Sequence, residues 1–163
     1  MAKTIVSIQH SDEYLGTPGN YTHEHVEKIK DMIRKIADDT RGGMQNIVHK
    51  GDVVFIKVNT VNTSPPDNGF TTDPRMLEAL IEVVKEQEPA KVQVGERCAL
   101  GQDTMTCFEV CGLKAVADRT GAELSRWRRP SLKCIIWAVR APLRTSRSRR
   151  SSRTPTSISA CRR

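Results

Sequence analysis

Apolar positions along the chain recur with two periods, and each change of period marks a new element. Residues 3 to 9, KTIVSIQ, are short and rich in β-branched side chains, which predicts a buried strand. The following HSDEYLGTPGNY is turn chemistry. Thr22 caps a predicted helix over about 23–40, where Val26, Ile29, Met32, Ile33 and Ile36 share one face and Gly42 and Gly43 close the end. Residues 52–59, DVVFIKVN, are almost continuously apolar, as a strand covered on both sides should be. A polar loop of about fifteen residues follows and ends on a helix start, with Thr72 or Asp73 as cap and Pro74 at the first helical position. That helix runs to about Gln87 and buries Met76, Leu77, Leu80, Ile81 and Val84. A strand over 91–94 comes next, then the loop 95–103 and a short helix capped by Asp103 or Thr104 and stopped at Gly112. A second helical stretch, 113–120, leads through Gly121 into a strand start at 122–124. The predicted order is β-α-β-α-β-α-α-β. Strands alternating with helices predict an α/β fold, a mostly parallel sheet with helices on both faces, here incomplete at its C-terminal end.

Charge changes the picture past that point. Up to Leu124 the chain has 14 basic and 19 acidic residues (14 − 19 = −5), and after it 12 basic residues and no acidic one. An acidic domain is therefore joined to a basic tail, and the overall +7 describes neither part. A uniformly basic nucleic-acid-binding domain is excluded. The 163 residues are room for one domain of ordinary size. Five cysteines, odd in number and irregularly spaced, do not make a disulfide scaffold, so a reducing compartment is expected. The first residues show no secretory signal, and the longest apolar run, Cys134 to Val139, falls far short of the roughly 20 residues a spanning helix needs. A cytoplasmic protein with no membrane partner is the expectation.

The runs KGDVVFIKVNTV, GFTTDPRMLEALIEVVKE, KVQVGE and CFEVCGLKAVADRTGAEL, in that order, resemble the bacterial and archaeal family called domain of unknown function 362. Members typically carry an IKPN-type strand end, a TTDP-type helix start, a VGE-type strand end and a stretch closing on GAEL. The resemblance covers about residues 50–124. Val58 stands where the family usually has proline, so Lys57 and Asn59 match without the rigid turn between them. The resemblance implies binding of a small anionic molecule or a link to redox metabolism, because relatives sometimes carry a ferredoxin-like module with closely spaced cysteines. This chain has no such spacing, so an iron–sulfur cluster is not carried over. From Ser125 onward the sequence is read as an out-of-frame translation. Such a product is expected to be a truncated, inactive copy of marginal stability with an uncovered sheet edge.

Ligands of parallel α/β sheets collect beyond the carboxyl ends of the strands, and the family-like polar residues fall in two such loops. Lys57 and Asn59 close the central strand, and Thr71, Thr72 and Asp73 start the next helix. An ammonium, an amide and the free N–H groups of a helix start suit a carboxylate or phosphate, although Asp73 opposes an anion directly beside it and serves equally as a pure cap. Glu96 and Arg97 follow Gly95 in the second loop, where Glu96 is a candidate ligand or base and an exposed ion pair is the alternative. Neither GxGxxG after the first strand nor GxxxxGK[ST] occurs, so the standard nucleotide fingerprints are missing. Cys98, Cys107 and Cys111 are spaced too widely for the usual metal pairs and read as buried apolar residues. His23 and His25, with His10 or Glu24, point in different directions from a helix and read as solvated side chains, so no metal is assigned. The tract RTSRSRRSSR, with Trp127 and Trp137 as stacking residues, offers the alternative function of non-specific nucleic-acid binding.

Overall fold

The computed structural model describes residues 4–99, 101–126 and 134–137. Four parallel strands form one sheet: β1 (Val53–Lys57), β2 (Lys91–Glu96), β3 (Glu123–Arg126) and β4 (Cys134–Trp137), in the spatial order β3-β2-β1-β4. Val54 pairs with Val92 on one side and with Cys134 on the other, and Lys57 pairs with Gly95. Four helices pack around the sheet: α1 (His23–Arg41), α2 (Pro74–Lys85), α3 (Thr104–Val110) and α4 (Leu113–Thr120). This is the α/β arrangement that the alternation of periods predicts.

The core follows from that alternation. Val54, Ile56, Val58, Val92 and Val94 join Val26, Ile29 and Ile33 of α1, Leu77, Ile81 and Val84 of α2, and Leu113 and Val116 of α4 in one cluster. The expected capping signals stand at the helix ends, although α2 stops at Lys85 and α3 at Val110, each two residues short of the expected end. Gly42 takes the left-handed conformation (φ 73°) beyond α1, and Asp73 accepts the Arg75 N–H at the start of α2 (2.9 Å). Between α1 and α2 the buried Lys30 ammonium bridges Glu27 (2.8 Å) and Glu82 (2.9 Å), with Glu86 at 3.8 Å, so three carboxylates and one cation close that seam.

Two elements differ from expectation. Residues 4–10 form no strand, and Ile5, Val6 and Ile8 are 62%, 55% and 77% exposed. The segment is tethered to α1 through Ser7 Oγ on Asp39 (2.7 Å). β-Branched content is a preference that needs a neighbouring strand to act on. β1 already has β2 on one side and β4 on the other, so the central position is filled. The second difference is β4, which lies beyond the boundary expected at Leu124, as do the last two residues of β3. The Arg-Ser tract and Trp127 lie outside the described residues. Among the described residues no helix is long and apolar enough to cross a membrane.

Candidate functional site

The two loops singled out by sequence meet at the carboxyl ends of β1 and β2. Lys57 closes β1 and Glu96 closes β2, and the Lys57 ammonium donates to Glu96 Oε2 and to the Val58 carbonyl (2.6 Å for the latter). Their side chains are only 18% and 11% exposed, so the pair is largely withdrawn from water. Glu96 Oε1 accepts the Arg97 N–H (2.7 Å), which turns the chain outward and leaves Arg97 exposed. Gly95 allows this closeness: a Cβ there would lie 2.4 Å from Cζ of the buried Phe55.

The loop after β1 is folded back on the strand end. Asn59 N–H donates to Thr72 Oγ1 (2.8 Å), Thr72 N–H to the Asn59 carbonyl (2.7 Å), and Asn59 Nδ2 to the Phe70 carbonyl (2.8 Å). Thr60 and Thr71 face one another in an antiparallel bridge. Thr60 Oγ1 lies 3.0 Å from Cys98 Sγ, whereas the Thr71 hydroxyl, on a residue 3% exposed, has no hydrogen-bond partner among the described residues. A buried orphan hydroxyl costs about 1–3 kcal/mol, which makes it unusual in a folded domain.

Asp73 is fully engaged elsewhere. Beyond its cap to Arg75 N–H, it accepts from Arg75 Nε (3.0 Å) and Nη2 (2.6 Å). Arg75 Nη1 in turn donates to the Leu15 and Gly16 carbonyls (2.9 and 2.6 Å), strapping the loop before α1 onto the start of α2. Lys57, Glu96, Asn59, Thr71 and Thr72 are thus gathered around two strand ends, Arg97 stands at their exposed edge, and Asp73 is a cap and strap.

The cysteines and histidines fall away from this cluster or into its walls. Cys98, Cys107 and Cys111 are buried and free. Burial pushes the Cys107 thiol up to about 12, with neighbouring Cys98 adding to it, and burial pushes Cys111 up to about 11. Both are protonated apolar side chains at neutral pH. His10 faces Asp12, and His25 Nδ1 accepts the Thr22 N–H (3.1 Å). Among the described residues, one group places ligand atoms close enough for a metal, His23, Glu27 and Glu82, but the Lys30 ammonium already joins its two carboxylates.

A second polar constellation was not found by sequence reasoning. Glu78, buried on α2, accepts from Tyr21 Oη (2.7 Å), from Arg119 Nε (2.7 Å) and from Arg119 Nη2 (2.5 Å). The guanidinium also sits 5.4 Å from the Tyr21 ring centroid. Burial raises the Glu78 carboxyl, but the hydrogen bonds from Arg119 and Tyr21 outweigh it and hold the group below its ordinary value. The three residues are dozens of positions apart, and no motif links them.

The model of the family described as domain of unknown function (DUF362) matches residues 54–142, more than half of the chain. The chain belongs to this family. The match begins at Val54 and runs past Leu124 to take in β3 and β4, so this DUF362 domain contains the whole described sheet except Val53. Comparison with curated proteins and with solved structures returned no match. The Lys57–Glu96 strand ends, the TTDP helix start and the glycine under Phe55 all fall inside the matched segment.

Proposed function

We propose that this DUF362 domain binds a small carboxylate or phosphate at the carboxyl ends of β1 and β2. The observation that carries the reading is the Thr71 hydroxyl, buried and unpartnered in the loop that pairs with Asn59 and Thr60 at the end of the strand bearing Lys57. A hydroxyl left without a partner in the free protein gains one when an acceptor-rich ligand arrives. Arg97 supplies an exposed guanidinium at the rim. Lys57 supplies an ammonium whose partner, Glu96, also sets its position. Asn59 and Thr72 hold the loop in register, and Asp73 fixes the helix start behind it. The set is a binding arrangement, and it fixes no reaction.

The test follows malonate and inorganic phosphate added to the full chain, read by the amide resonances of Thr71, Thr72 and Arg97. Saturable shifts that weaken tenfold or more in Arg97→Ala support the reading. Thr71→Val is the sharper variant, because it removes the orphan hydroxyl at constant shape. It leaves the free protein as stable as before or more stable by about 1 kcal/mol, while binding falls. Unsaturable shifts, or binding indifferent to both substitutions, overturn the proposal.

A further inference from the structure

Away from the strand ends lies a cavity of about 450 Å³, within the size range of small-molecule sites. None of Lys57, Asn59, Thr71, Thr72, Asp73, Glu96 or Arg97 lines it. Its polar wall is the Tyr21–Glu78–Arg119 network, and Val26, Pro66, Pro74 and Val110 supply apolar surface. From this cavity the geometry points to a second binding site, for an organic anion with a carboxylate or phosphate head and a compact apolar body.

The hydrogen-bond inventory of the wall decides the sign of the ligand. Glu78 is the buried acceptor, and its two oxygens already receive three donors from Tyr21 and Arg119. Arg119 spends Nε and Nη2 on that carboxylate, and no hydrogen bond is made by its Nη1 among the described residues. A guanidinium clamped on one edge and stacked on a phenol ring is held in place before any ligand arrives, with the other edge still able to donate. The pair itself is neutral, so Glu78 does not repel an anion as a free carboxylate would.

The backbone adds to this on three sides. Thr22 and His23 at the start of α1, Pro74 at the start of α2, and Gly112 and Ala115 at the start of α4 all line the cavity. Three helix starts therefore line it; that of α2 is already capped by Asp73, which leaves α1 and α4, the latter without any side-chain cap, to supply the positive ends. Their partial positive ends favour negative charge. The strap from Arg75 to the Leu15 and Gly16 carbonyls anchors the stretch leading into Pro18–Thr22, which closes one side. The free edge of Arg119 is a donor, so an acceptor-rich head fits it, and the apolar residues suit a ring or short alkyl body.

The experiment uses the full chain with phenyl phosphate and benzoate as probes and benzyl alcohol as their uncharged analogue. Binding is measured by calorimetry at 150 mM salt, where loose association with the basic tail is weakened. Ala115 is exposed at the third position of α4, so Ala115→Asp suits the helix start while placing a carboxylate within one turn of Arg119. At least one anion is expected to bind saturably, tenfold or more weakly in Ala115→Asp and within threefold of the parent in Ala115→Asn, with benzyl alcohol binding at least tenfold more weakly. Whether the phosphate or the carboxylate binds tighter names the head group. The inference fails if neither anion saturates, if benzyl alcohol binds as well, or if Asn at 115 is as damaging as Asp. It also fails if Lys57→Met abolishes binding that Ala115→Asp leaves intact, since that result assigns the anion to the strand ends instead.

Discussion

Gly95→Ala tests how tightly the first two strands are built around Phe55. The added Cβ would lie 2.4 Å from Phe55 Cζ, 2.7 Å from Cε2 and 2.9 Å from the Ser125 carbonyl oxygen. Ordinary carbon contacts are about 3.5–4.0 Å, so the nearest pair is short by about 1.1–1.6 Å. Phe55 is fully buried, and its ring cannot step aside without displacing neighbours or β1 itself. Overpacking of this kind costs about 1–3 kcal/mol. Urea unfolding followed by circular dichroism measures it, and the cost should fall when Phe55→Leu is made in the same chain, because the smaller side chain vacates the contact. A loss below about 0.5 kcal/mol, or one unchanged by Phe55→Leu, refutes the claim that this glycine is needed for the approach of the ring. Because Lys57 pairs with Gly95 across the two strands, the same substitution should also weaken anion binding at the strand ends.

Asp73→Ala removes a helix cap and the partner of a largely buried Arg75 together, and a loss of about 2 kcal/mol is expected in the same unfolding assay. Asp73→Asn, which keeps the cap, should lose less. The Glu78 carboxyl titrates below its ordinary value of 4.5 in the folded chain, so its contribution is present above that pH and is lost as pH falls through the folded value. Unfolding midpoints between pH 6 and 3 should therefore drop more steeply in the parent than in Glu78→Gln, and parallel curves would contradict the assignment. Cys107 and Cys111 should resist iodoacetamide at pH 8 in the native chain and react once urea unfolds it, as peptide mass spectrometry can follow.

Much of this architecture is readable from local signals. The caps at Asp73 and Asp103, the glycines at 42, 112 and 121 and the apolar spacing of α1 and α2 all report on the chain within a few residues of themselves. That the two loops lie side by side was legible too, from their place in a parallel sheet, but the Lys57–Glu96 pairing was not, because the second strand reads as ending at Val94 and runs to Glu96. What was not legible depends on distant partners. KTIVSIQ has the composition of a strand but no vacant place beside β1, and composition does not count neighbours. Cys134–Trp137 is visible as part of an apolar run, yet its arginine-rich surroundings mask the strand, and only its pairing with β1 reveals it. The Tyr21–Glu78–Arg119 network has no local signature at all, since each member looks like an ordinary surface residue of its own segment.

That network joins Tyr21 to Arg119, 98 positions later. While the chain is being synthesised, the phenol and the carboxylate emerge well before the guanidinium that neutralises the carboxylate. Glu78 therefore spends that interval as an unpaired acid, and the three-sided pocket takes shape only after α4 has left the ribosome. A contact of such long range closes late and slowly. A molecule that rests against Arg119 would therefore recognise only chains that have been made through the fourth helix and have docked it on α2.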